Sequence, residues 1–134
     1  MRNRSELREI IMKVLYQINI YNDIKAEYDI NDLIHEQLEV ENSFVTDTVN
    51  GVISNRKEII TLANKYLKDW EFNRLNKVDQ EILSIGVYEL MYTDTPSIVS
   101  INEAIELSKK YSEEAVVKMI NGVLDKIYHE ELKN

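Results

Sequence analysis

Two histidines, His35 and His129, are the only imidazoles of this 134-residue chain, and it holds no cysteine. A metal centre, or a nucleophile with its base, needs several such groups brought together. Two imidazoles far apart in sequence nominate neither, so both read as exposed surface residues. Glu103 and Glu106 lie one helical turn apart, but Glu103 has a capping role open to it. There is no glycine-rich phosphate loop and no strand to precede one. No catalytic group, metal or cofactor is implied, and the chain reads as a non-enzyme.

The side chains that could grip a ligand sit near the start. Over the first helical pattern Leu7, Ile10, Ile11, Val14 and Ile18 centre an apolar face, Arg4 and Arg8 flank it, and Met12 and Tyr16 continue round the same side. Guanidinium groups can hold phosphates bidentately and a tyrosine ring can stack on an unpaired base, which is how single-stranded RNA is commonly held. The bland reading is that arginines at a core boundary snorkel to water.

One proline and three glycines leave little punctuation, and no stretch alternates apolar with polar residues, so the chain reads as all-α. A helix over residues 29–39 turns Ile30, Leu33, Ile34 and Leu38 inward. From Ser43 a long element keeps Phe44, Val45, Val49, Val52, Ile59, Ala63 and Leu67 in step, with Ser54-Asn55 a place for it to break or kink. Residues 79–92 are apolar nearly all round and mark a central buried helix. Ser100-x-x-Glu103 is read as a capping box opening the next helix after Pro96, and the last helix is expected to begin at Ser112. Gly51, Gly86 and Gly122 fall inside helical patterns, where each costs about 1 kcal/mol relative to alanine, so all three predict close helix crossings. Trp70, followed by Phe72, reads as a core anchor rather than a stacking site.

The length suits one domain with a real interior. The net charge of −8 disfavours a nucleic-acid partner at first sight. Its distribution changes that. From Asp23 to Asp47 eight acids face Lys25 alone, whereas Met1 to Lys13 is net basic through Arg2, Arg4, Arg8 and Lys13. An acidic face and a basic face are expected. With no cysteine, no apolar run of membrane length and a polar start unlike a signal peptide, a soluble protein of the reducing cytoplasm is expected.

Four blocks then resemble one family in order and spacing: Arg4 through Tyr16; Leu75-x-x-Val78 through Tyr88-Glu89-Leu90; Ile101-Asn102-Glu103-Ala104-Ile105-Glu106-Leu107; and Ile120-Asn121-Gly122-Val123-Leu124-Asp125-Lys126-Ile127. They look like the transcription antitermination factor NusB family; only residues 22–42 carry no signature of it. The resemblance implies a fold of about seven helices in two helical subdomains, near residues 1–70 and 71–134. It implies binding of single-stranded boxA RNA in nascent ribosomal RNA transcripts, together with a small-subunit ribosomal protein that acts as NusE. Other Nus factors and RNA polymerase are reached through that complex, and no membrane is involved. Carried over by position, Arg2, Arg4 and Arg8 are implied as phosphate binders and Tyr16 as a base or sugar contact. Asp79, Lys118 and Met119 fall where other members approach RNA. Met119 stands where many members have Phe, and Ser5-Glu6 interrupt what is often a longer run of arginine.

Asn102, Glu103, Asn121 and Asp125 are read as structural, with Asn121 buried beside Gly122 at a tight crossing. Two rivals remain. One is the similar RNA-binding module of rRNA cytosine methyltransferases, which adds a large cofactor domain and a catalytic cysteine that this chain lacks. The other is a helical dimer or scaffold without RNA. The sequence leaves dimerisation open, as it does whether the acidic stretch repels RNA or faces a basic partner.

Overall fold

A computed structural model describes residues 2–133. Among them run seven α-helices: α1 (Arg4–Asp23), α2 (Ile30–Gln37), α3 (Ser43–Ser54), α4 (Arg56–Tyr66), α5 (Lys77–Tyr92), α6 (Ser97–Tyr111) and α7 (Glu114–Ile127). A 3-10 turn at Phe72–Arg74 precedes α5, a π-helical turn at Tyr128–Leu132 follows α7, and there is no strand among the described residues. The all-α expectation holds. No described helix is long and apolar enough to cross a membrane.

The helix starts are set by short polar side chains. Asn3, Asp29, Asn42 and Asn76 each accept the backbone N–H three residues on, from Glu6, Asp32, Val45 and Asp79, at 2.9 to 3.1 Å. Each bond satisfies a donor that the helix itself leaves unpaired. The long element expected from Ser43 breaks at Asn55, whose backbone N–H and side-chain amide both turn back to the Gly51 carbonyl. The capping box expected at Ser100 is not formed. The helix starts three residues earlier, directly after Pro96, whose carbonyl accepts the Val99 and Ser100 backbone N–H groups of the first turn. Ser100 and Glu103 are thereby moved inside α6 and freed for other partners. The last helix starts at Glu114, close to the expected Ser112.

The core is built around α5, which packs against α1, α3, α4, α6 and α7. Ile82, Leu83, Ile85, Val87 and Leu90 are buried on several sides of it. From α1, Ile11, Val14 and Leu15 lose all solvent contact. Truncating any one of these to alanine costs about 2–5 kcal/mol. Phe72 is an anchor as expected, whereas Trp70 is 40% exposed.

The glycines divide. A Cβ on Gly51 would overlap the Tyr88 ring, and one on Gly86 would sit 2.8 Å from Leu124 Cδ1, so both mark close crossings of α5 with its neighbours. Gly122 corrects the expectation: nothing lies within 4 Å of where its Cβ would be, and Asn121 beside it is exposed rather than buried.

Candidate nucleic-acid interface

The first helix separates its arginines by environment. Arg2 and Arg4 are exposed, and the Arg4 guanidinium lies 3.9 Å from the centre of the Phe44 ring on α3. That cation–π contact holds the charge at the mouth of a hollow of about 300 Å³ lined by Phe44, Tyr88, Thr93, Asp47 and Asp94. Lys13 is also exposed on this helix. These are cations within reach of a polyanion.

Arg8 is not on that strip. It is 5% exposed, and its Nε and Nη2 donate to the two carboxylate oxygens of Glu89 at 2.7 and 2.9 Å, while Nη1 donates to Glu103 at 3.1 Å. Ser5 Oγ donates to the same Glu103 oxygen, and Ser100 Oγ reaches Glu89 at 3.4 Å. Burial alone would disfavour the arginine's charge, but Glu89 and Glu103 outweigh it and raise the guanidinium above its ordinary pKa. The phosphate-binding role expected for Arg8 is therefore corrected to a buried ionic joint between α1, α5 and α6.

A second buried joint ties α5 to α4 and α1. Glu81, with no exposure, accepts Arg56 Nη2 at 2.7 Å and Asn19 Nδ2 at 2.7 Å, and Arg56 Nη1 also donates to Ser84 at 2.8 Å. Lys77 donates to Asn19 Oδ1 at 2.9 Å and pairs with Asp23. Burial pushes the Glu81 carboxyl up, against the pull of Arg56, Asn19 and Lys77.

Asp79 is 2% exposed at the first turn of α5 and accepts the Ser112 hydroxyl from the turn between α6 and α7. Burial raises its pKa, Ser112 opposes that, and the charge of Glu113 adds to it. An RNA group would meet this carboxylate only through its neighbours. Tyr16 is half-buried on α1. Lys118 is exposed on α7, with Glu114 one turn away at 3.6 Å. Met119 is 9% exposed at the edge of a groove shared with Trp70.

The expected site residues therefore do not form one cluster. Arg8 with Glu89, and Asn19 with Glu81, make α1 and α5 antiparallel, so Asp79 lies about 15 Å along α5 from the level of Glu89. Of the signature polar residues, Asn102, Asn121 and Asp125 are exposed, and Glu103 alone bridges helices. Both histidines are exposed, and no described group of acids and histidines is placed to hold a metal. Sequence reasoning missed Phe44 as the seat of Arg4, and Glu89 as the partner of Arg8. The signal for the latter was present: acids at 81 and 89 inside an apolar helix must find buried partners.

This arrangement defines a small all-helical protein with exposed cations at one end of its first helix and polar joints locking the helices behind them. The chain belongs to the NusB family, whose model matches residues 5–129. It is 40% identical over 126 residues to a transcription antitermination protein NusB of Acetivibrio thermocellus, covering 92% of this chain and 87% of that one. It is 39% identical to the NusB of Macrococcus caseolyticus, covering 93% and 95%. Among solved structures, T. maritima NusB superposes with a TM-score of 0.82 at 32% identity, covering 96% of this chain and 92% of that one. A structure of antitermination factors NusB and NusE in complex with dsRNA superposes with a TM-score of 0.80 at 26% identity, covering 96% and 98%.

Proposed function

We propose that this chain is a non-catalytic transcription antitermination factor that binds boxA-type single-stranded RNA of nascent ribosomal RNA transcripts together with a NusE-like ribosomal protein. The observation that carries this reading is its near full-length likeness to NusB chains, one of them in complex with NusE and RNA. The chain's own surface fits. Arg2 and Arg4 offer phosphate contacts, Tyr16 a ring for a base or sugar, and Lys118 a further cation on α7. Arg8 and Asp79 support these contacts from inside, by fixing α1 against α5 and the start of α5 against the α6–α7 turn.

The mechanism is assembly. A small cationic surface on a chain of net charge −8 binds RNA weakly by itself. A second protein that contributes its own contacts raises the affinity of the whole. The acidic segment from Asp23 to Asp47, spread over the end of α1, α2 and the start of α3, suits a basic ribosomal protein. Other Nus factors and RNA polymerase are engaged through that complex. Titration of labelled boxA RNA, with and without the ribosomal partner and across salt concentrations, tests the reading. Several-fold tighter binding with the partner is expected, and equal affinity for boxA and scrambled RNA under both conditions would sink it.

A further inference from the structure

Lys118, Gly122 and Lys126 recur every four residues on α7 and so lie along one line of the helix. The two lysines stand about 12 Å apart along the axis, and between them Gly122 is exposed, with nothing within 4 Å of where a Cβ would be. A mid-helix glycine weakens its helix, and here no neighbour in the chain needs the space. Beside it runs a groove of about 250 Å³ lined by Trp70, Lys68, Asp69, Met119 and Lys126 as well as Gly122. Trp70, the only tryptophan, is 40% exposed there. Lys68 and Lys126 are exposed and in no ion pair among the described residues, and Asp125 is turned to His129 at 3.4 Å.

We propose that this groove is an RNA subsite. One unpaired base stacks on the Trp70 indole, and the sugar–phosphate backbone passes over Gly122 between Lys118 and Lys126. The inference rests on the RNA-binding reading above and deepens it. An aromatic face flanked by exposed cations, of which Lys118 alone has an acid, the exposed Glu114, near it, is the chemistry of single-strand binding, whereas the cores of protein–protein interfaces are depleted in lysine. The missing Cβ supplies what a backbone needs for close approach. Trp70 thereby provides the flat surface that Met119, at the edge of the same groove, does not.

Because Trp70 is the sole tryptophan, its emission reports on the subsite directly. Labelled boxA-type RNA is titrated into the full chain, with anisotropy of the RNA and emission of Trp70 read together. Quenching that tracks binding is expected. Gly122→Gln, whose side chain projects into open space, should keep the parent's melting temperature or raise it while lowering RNA affinity about 10-fold. Trp70→Ala should lose affinity to a similar degree, with Trp70→Phe retaining most of it. Lys126→Ala should reduce the salt slope by about one unit. If RNA binds with unchanged Trp70 emission and Gly122→Gln binds like the parent, the subsite is overturned while the RNA-binding function stands. If no RNA binds even with the ribosomal partner, both fall. If the partner protein alone quenches Trp70, and Gly122→Gln loses that partner but not RNA, the groove is a protein dock and the inference is overturned.

Discussion

The Arg8 guanidinium meets the Glu89 carboxylate through two bonds of 2.7 and 2.9 Å inside the protein, so the first helix and the central helix are joined by a buried, bidentate ion pair. The pair turns a residue that the sequence offers to RNA into one that holds the first helix in place. Removing one partner of such a pair is far more disruptive than removing both, since the survivor is left charged and dry.

Arg8→Ala should therefore destabilise the fold by about 3–5 kcal/mol. Urea or thermal denaturation measures this, and RNA affinity should fall only in proportion to the folded fraction. A variant of parental stability that has lost RNA binding would return Arg8 to the interface.

Arg4→Ala should behave in the opposite way. The exposed cation–π contact with Phe44 contributes about 0.5–1 kcal/mol, so the fold should survive nearly unchanged. The slope of log affinity for RNA against log salt should shrink by about one unit if Arg4 holds a phosphate. An unaltered slope would remove Arg4 from the contact set.

Asp79 makes stability depend on pH. Its folded pKa is raised above 3.8, so the native state holds its proton to higher pH than the unfolded chain does. In the window from 3.8 upward to the raised value, native Asp79 binds more protons, and its contribution falls as pH rises. Asp79→Asn keeps an acceptor for the Ser112 hydroxyl and removes the charge. The variant should thus gain on the parent as pH rises through that window and hold the gain at neutrality. Melting curves from pH 3 to 7 for both proteins provide the check, and parallel curves would refute it.

The two glycines of α5 and α7 should respond with opposite sign to one methyl group. Gly86→Ala drives a Cβ to 2.8 Å from Leu124 Cδ1 in the packed core and should cost about 1–3 kcal/mol. Gly122→Ala meets nothing within 4 Å and should gain about 0.5–1 kcal/mol from helix propensity. Equal effects at both positions would show that the space around Gly122 is not open.

The sequence by itself determined the helical class and the central place of residues 79–92, and it marked Ser54-Asn55 as a weak point that the structure turns into a break. These rest on local periodicity, in which every residue votes for one face of one helix. It also determined the family, through ordered blocks of residues. What it could not decide is which polar residues on those helices turn inward. Arg4 and Arg8 lie one turn apart and look alike in sequence, yet one stands over Phe44 in water and the other is dry against Glu89, 81 residues away. Trp70 and Phe72 divide in the same manner, one onto the surface and one into the core. Gly122 looked like Gly86, but only Gly86 has a helix pressed against it. Burial and ion pairing are set by partners distant along the chain, and only the packing of α1, α6 and α7 around α5 brings those partners into place.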